Sequence, residues 1–179
     1  SDDPPSTLVD RMAQTFTNTD GDIASILETL FRAPEFTASL GKRFKDPTRY
    51  VLSAVRLAYD DKVILNSAPI QNWLNRLAEG LYNHQTPDGY PMTSSAWNGS
   101  GQMMTRFEIA RQIGSNSAGL FKSAESDAVD KPAFPLLENA LYFGSLNRML
   151  GSPTRAALDE AVSPQDWNTL FLSSPEFMN

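Results

Sequence analysis

A chain of 179 residues, 41% hydrophobic and 20% charged, is long enough to bury a core and too apolar for a disordered composition. A net charge of −6 with fifteen scattered lysines and arginines argues against nucleic acid, which is held by concentrated basic side chains. The lack of cysteine removes disulfides, thiolate nucleophiles and thiolate zinc sites, and no apolar run approaches the ~20 residues that span a bilayer.

Helical spacing runs through most of the chain. Leu8, Val9, Met12, Ala13 and Phe16 recur at steps of one, three or four residues, the stripe of an amphipathic helix. Asp3 followed by Pro4 reads as its N-cap and first residue, and the abrupt start Ser1-Asp2-Asp3-Pro4-Pro5 reads as a cut inside a longer protein. Asn18 to Gly21 forms a turn. A second helix carries Ile23, Ile26, Leu27, Leu30 and Phe31, with Asp20 or Gly21 near its cap and Pro34 as its stop. A third follows Asp46-Pro47 through Tyr50, Val51, Ala54, Val55 and Ala58. A fourth, after Pro69, holds Ile70, Trp73, Leu74, Leu77 and Leu81. Proline at these starts costs nothing, because the first N–H of a helix has no partner within it.

From Tyr82 to Ser100 the pattern breaks into turn-formers, Thr86-Pro87-Asp88-Gly89-Tyr90-Pro91, and then serine-rich sequence around Trp97. Loops of this length are uncommon in compact domains and often functional. Helical spacing resumes near Gly101 with Met103, Met104, Phe107, Ala110 and Ile113; the methionine pair reads as core filling. The polar stretch from Gly114 to Pro132 is expected to be mobile. Helices are then expected over 136–150, 154–161 and 164–172. No alternation of apolar and polar residues marks a strand. The fold class is therefore all-α: an irregular bundle of six to eight helices with one long ordered loop, forming a single domain over 1–179.

One echo links Leu30-Phe31-Arg32-Ala33-Pro34-Glu35-Phe36 to Leu170-Phe171-Leu172-Ser173-Ser174-Pro175-Glu176-Phe177. Two copies do not make a solenoid. They read as a shared way to stop a helix and tuck a phenylalanine under its end.

Several segments, taken in order, resemble a known family. These are Asp3-Pro4-Pro5, Leu8-Val9-Asp10-Arg11, Gly21-Asp22-Ile23, Pro34-Glu35-Phe36 and Phe44-Lys45-Asp46-Pro47-Thr48-Arg49-Tyr50. Ser53-Ala54-Val55-Arg56-Leu57-Ala58-Tyr59, Thr86-Pro87-Asp88-Gly89-Tyr90-Pro91, Trp97, Arg106 and Ser174-Pro175-Glu176-Phe177-Met178 complete the series. Together they resemble the C-terminal part of a large bacterial family catalogued as a domain of unknown function, the one numbered eighteen hundred. The resemblance implies a longer protein with a helical N-terminal half, and export to the periplasm or the cell exterior. It carries no catalytic residues over, and the arginine at 49 departs from the acidic residue that several relatives place there.

Candidate chemistry is sparse. His84 lies near Asp88, Ser94 and Ser95, but no Gly-x-Ser-x-Gly elbow is present, and a triad is made by geometry rather than by nearness in sequence. His84 reads as a solvated loop residue. Asn18-Thr19-Asp20-Gly21-Asp22 resembles a calcium loop only in part, since Phe16 and Leu27 stand where acidic ligands would be needed. It reads as a turn and helix cap. No metal and no cofactor are expected.

The remaining candidates are two helix-borne arginines, Arg56 and Arg106, together with Lys45 and three aromatic residues, Tyr82, Tyr90 and Trp97. A partly buried arginine needs carboxylate or carbonyl partners. Arg56 or Arg106 is therefore expected to anchor the loop through its carbonyls, leaving Tyr82, Tyr90 and Trp97 to bind. Such rings suit a protein or polymer partner, and would equally cover the domain's own core. The functional expectation is a helical binding module of an exported bacterial protein, acting through the 82–100 loop. The alternative is part of a hydrolase whose catalytic residues lie mainly in a missing N-terminal half.

Overall fold

The computed structural model describes residues 2–122, 134–141 and 146–179. Among the described residues all regular structure is helical, ten α-helices and two short 3-10 turns, more than the six to eight helices expected. The excess comes from prolines that start short helices instead of merely ending long ones. The chain packs as two compact units, Ser1–Arg43 and Phe44–Asn179.

The smaller unit holds α1 (Ser6–Asn18), α2 (Ile23–Phe31) and α3 (Pro34–Ser39). Helix α1 begins later than the Asp3-Pro4 signal predicts, with Pro5 in the N-cap position. The second proline decides this, because the residue before a proline is pushed out of helical geometry and Pro4 precedes Pro5. Asp20 and Gly21 both adopt left-handed backbone (φ 51° and 83°), which turns the chain sharply. The cap of α2 is Asp22, one residue beyond the expected position, and its carboxylate accepts from the N–H groups of Ala24 and Ser25 at 3.3 and 3.2 Å. Pro34 does not end α2, which stops at Phe31. It opens α3 instead.

The larger unit holds α4 (Pro47–Tyr59), α5 (Ala68–Arg76), a 3-10 turn (Ser94–Ala96) and α6 (Ser100–Gly114). It continues with α7 (Leu137–Leu141), a second 3-10 turn (Leu146–Met149), α8 (Ser152–Asp159), α9 (Pro164–Leu172) and α10 (Pro175–Met178). Residues 142–145, inside the helix expected over 136–150, lie outside the described residues. Helix α5 ends before Leu77 and Leu81, both expected within it. Leu77 turns inward to the core, Ala78 takes left-handed backbone (φ 61°), and Leu81 is exposed.

The core of this unit is centred on α4, α5, α6 and α9, through Tyr50, Val51, Trp73, Leu74, Leu77, Ile109, Ile113, Phe171 and Leu172. Helices α6 and α9 approach closely at Gly114, where an added Cβ would fall 2.9 Å from Asn168 Cβ and 3.3 Å from the Thr169 backbone nitrogen. Asn168 is only 1% exposed, yet its amide is well used. Nδ2 donates to the carbonyls of Gly114 (3.0 Å) and Pro135 (2.5 Å), and Oδ1 accepts from Leu137 N–H (3.2 Å). One side chain thus ties α6, α9 and the start of α7, and no donor or acceptor of its amide group is stranded in the core.

The stretch expected to be mobile divides. Within 115–122, Leu120 and Phe121 are buried, and the Leu120 carbonyl accepts from the N–H groups of Leu65 (3.0 Å) and Asn66 (2.9 Å). The part from 123 onward lies outside the described residues. The sequence echo also has a structural counterpart. Phe31 and Phe36 meet edge to face at 5.1 Å, and Phe171 and Phe177 meet at 5.7 Å, each pair joining a helix end to a short proline-started helix.

Two predictions follow from this packing. Gly114→Ala should lower thermal stability by about 1–3 kcal/mol, because backbone and not only a flexible side chain would have to shift. The second concerns the buried phenols. Tyr59 donates to the Ile113 carbonyl at 2.7 Å, and Tyr50 to the carbonyls of Arg106 (2.9 Å) and Leu172 (3.3 Å). Burial raises the pKa of both, partly opposed at Tyr50 by Arg106. Above the ordinary phenol value of roughly 10, the unfolded chain releases protons that the native state keeps, so stability falls as pH rises. Tyr59→Phe should cost about 1 kcal/mol at neutral pH yet make that alkaline decline shallower in denaturant titrations.

Candidate functional site

The loop after α5 is built from its root outward. Glu79 N–H returns to the Leu74 carbonyl at 2.9 Å, and the Glu79 carboxylate accepts from Thr48 N–H at 2.7 Å. Gly80 follows in a tight spot, since a Cβ there would sit 2.0 Å from Asn75 Oδ1. The Gly80 carbonyl accepts from the Tyr90 hydroxyl at 2.7 Å, and the Pro91 carbonyl from the Trp97 indole N–H at 3.0 Å. His84 stands edge-on to the Tyr90 ring at 4.6 Å, and Tyr90 and Trp97 lie 6.4 Å apart. His84, Tyr90 and Trp97 therefore brace the loop from within.

The three candidate binding residues are placed differently. Trp97 is 4% exposed, which leaves its ring little face to offer a partner, and Tyr90 is half-buried. Tyr82 is fully exposed, at 107% of the reference area, and its backbone is left-handed with φ 54°. Leu81 and Met92 are exposed on the same loop. A bulky residue at positive φ is a genuine outlier, held only where the surroundings fix it.

His84 is surrounded by its own loop. Its Nδ1 lies 2.9 Å from the Thr86 carbonyl and 3.9 Å from Asp88 Oδ1, while the Thr86 hydroxyl donates to Asp88. That hydroxyl, first among several contacts, holds the Asp88 carboxyl below its ordinary pKa. Ser95 donates to the Thr93 hydroxyl at 3.4 Å, so its hydroxyl is turned to a loop threonine. Among the described residues no group of three or more His, Asp or Glu side chains is placed to hold a metal ion.

The two arginines also separate. Arg56 is exposed on α4. Arg106 is 0% exposed, and its Nη2 donates to the Lys45 carbonyl at 2.8 Å, so its hydrogen bond goes to the segment before α4 instead of to the 82–100 loop. Its guanidinium carbon lies 4.6 Å from the Phe44 ring centre and 4.7 Å from that of Tyr50. Nε and Nη1, both buried, have no hydrogen-bond partner among the described residues. Desolvation draws the Arg106 pKa down to about 10, against the opposing pull of Tyr50, Asp46 and Glu79, so the group stays charged at neutral pH.

The same segment gathers further contacts. Lys45 N–H donates to the Met178 carbonyl at 2.7 Å, and its ammonium donates to the Phe177 carbonyl and sits 4.0 Å from that ring centre. Burial, then the nearby Arg106, lower the Lys45 pKa. Asp46 Oδ1 caps α4 by accepting from Arg49 N–H at 2.7 Å. At the other end of the chain, Glu176 accepts from Gly151 N–H (2.7 Å) and the Thr154 hydroxyl (2.8 Å) at the start of α8. Burial works to raise the Glu176 pKa, but these hydrogen bonds outweigh it and hold the carboxyl below its usual value.

A family model described as "Protein of unknown function (DUF1800)" matches residues 1–179. The chain belongs to this family. No curated protein and no solved structure matches it. In this DUF1800 chain, three of the segments that carried the resemblance meet around one point: Phe44 to Tyr50, Arg106, and Ser174 to Met178. Sequence reasoning missed Glu79, Asn168 and Glu176. Each acts across more than twenty positions of chain, so no local spacing could have flagged it.

Arg106→Ala should cost about 2–5 kcal/mol, as a large buried side chain leaves a cavity between two rings. Arg106→Met keeps much of that packing and removes two unpartnered nitrogens, Nε and Nη1, so its loss should be clearly smaller. Equal losses in chemical denaturation would shift the weight from stacking to the bond with Lys45.

Proposed function

We propose that this chain is a non-catalytic binding module, the C-terminal portion of a longer exported bacterial protein, and that it engages a protein or polymer through the 82–100 loop. The observation that carries the reading is Tyr82: a fully exposed aromatic side chain held in left-handed backbone on a loop braced by Tyr90 and Trp97. Left-handed backbone costs a residue such as tyrosine about 1–2 kcal/mol, and such strain concentrates at binding positions. Exposed aromatic area on a rigid loop suits recognition, because little side-chain freedom is lost on contact. Leu81 and Met92 add apolar surface on the same loop. Within this reading, Trp97 and Tyr90 shape the loop and Tyr82 makes the contact.

Tyr82→Gly separates binding from folding. It should leave thermal stability unchanged or raise it, because glycine accepts positive φ without strain. A photo-crosslinking aromatic residue at 82 of the full-length protein, in its own cells, should give discrete adducts in the exported fraction. The same residue at Val162, which is 90% exposed, should give none. Adducts from both positions, or from neither, would end the proposal, as would recovery of the full-length protein from the cytosol alone.

A further inference from the structure

Asn98 and Gly99 close the loop immediately before α6. Asn98 is the one asparagine of the chain that precedes a glycine, and both residues are exposed. A Cβ on Gly99 would meet nothing within 4 Å, so the space beside the Gly99 backbone is open. The Gly99 carbonyl accepts from Met103 N–H at 3.0 Å as the helix starts, while its own N–H is among the donors that a helix start leaves outside the ladder. An unhindered backbone nitrogen therefore lies next to an exposed carboxamide.

We infer that Asn98 is a site of spontaneous deamidation, a covalent modification independent of the binding role proposed for the loop. The Gly99 nitrogen gives up its proton to solvent base and attacks Asn98 Cγ. A bond forms between that nitrogen and Cγ, the Cγ–Nδ2 bond breaks, and the amide nitrogen leaves as ammonia after taking a proton from solvent. The product is a five-membered cyclic imide. A solvent water then opens it. Attack at Cγ gives aspartate with the original main chain. Attack at the Asn98 backbone carbonyl carbon breaks its bond to Gly99 and routes the main chain through the side chain as isoaspartate. Nothing is oxidised or reduced.

Either product puts a carboxylate just ahead of α6, a 15-residue helix with no side-chain cap and no acidic residue in its first turn. A negative charge is favoured at that end of a helix dipole, so the aspartate form should be well tolerated. The isoaspartate form lengthens the main chain at the junction of the loop with the helix that carries Arg106.

The test incubates the full chain at mildly alkaline pH and follows amide-to-acid conversion by peptide mapping, with Gly99→Ala in parallel. Alanine suits position 99, where φ is −63° and the space is open, and its thermal unfolding checks that the variant folds. Conversion should concentrate at Asn98, yield both aspartyl and isoaspartyl peptides, and slow severalfold in Gly99→Ala. Conversion no faster than at the exposed Asn18 and Asn83, or unaffected by Gly99→Ala, overturns the inference.

Discussion

Arg106 carries its charge into a position without solvent exposure, where one carbonyl and two aromatic faces receive it. Burying a charge is costly unless it is paired and hydrogen-bonded, and here no carboxylate hydrogen-bonds it among the described residues. The compensation is distributed. Nη2 has the Lys45 carbonyl, the rings of Phe44 and Tyr50 present their negative faces, and Asp46 and Glu79 supply favourable charge from further away. Because the groups in direct contact, Phe44, Lys45 and Tyr50, come from the segment before α4 and from α4 itself, the arginine fixes where α4 begins. Tyr50 closes the arrangement by donating to the backbone carbonyl of Arg106, so ring and guanidinium hold each other in place.

Around that point, two helix starts in the larger unit, those of α4 and α8, draw a carboxylate from a distant part of the chain. The first N–H groups of a helix lack partners within it and carry partial positive charge. Asp46 answers this locally for α4, as the sequence suggests, and Glu79 answers it from the end of α5. Glu176 does the same for α8 from the first turn of α10. Each borrowed carboxylate joins two elements while it caps one. Short helices such as α10 are thereby retained although four residues are too few to be stable alone.

Legibility in the sequence follows the range of the interaction. Helices α4, α6 and α9 were legible because apolar spacing and proline position are local, and Asp46-Pro47 and Ser163-Pro164 mark their starts within a residue. The start of α1 lies two residues past the Asp3-Pro4 signal because of a conflict between two prolines that is itself local. Leu120 and Phe121 sit in a stretch whose polar composition reads as mobile, while the groups that hold them, the N–H groups of Leu65 and Asn66 on the Leu120 carbonyl and the Tyr59 ring against Phe121, lie more than fifty positions away. The aromatic residues of the loop were the hardest case. Tyrosine and tryptophan serve equally inside a fold or on its surface, and Tyr82, Tyr90 and Trp97 share turn-rich surroundings. Only the partners found by Tyr90 at Gly80 and by Trp97 at Pro91 separate them from Tyr82.

Those partners connect the arginine to the loop. Glu79 reaches Thr48, three residues beyond the carbonyl that Arg106 holds, and Gly80 directly after it receives Tyr90. Tyr82 is thus two residues from a carbonyl fixed by the half-buried Tyr90 phenol and three from a carboxylate bound to the start of α4. A left-handed tyrosine in a free loop would relax to ordinary backbone and recover the strain. Here the root of the loop cannot move without breaking the cap of α4 or the Tyr90 bond, so the strain is held in place. The orientation of the exposed ring is therefore a consequence of the core. Loosening Glu79 or Tyr90 should release Tyr82 even though neither touches its side chain.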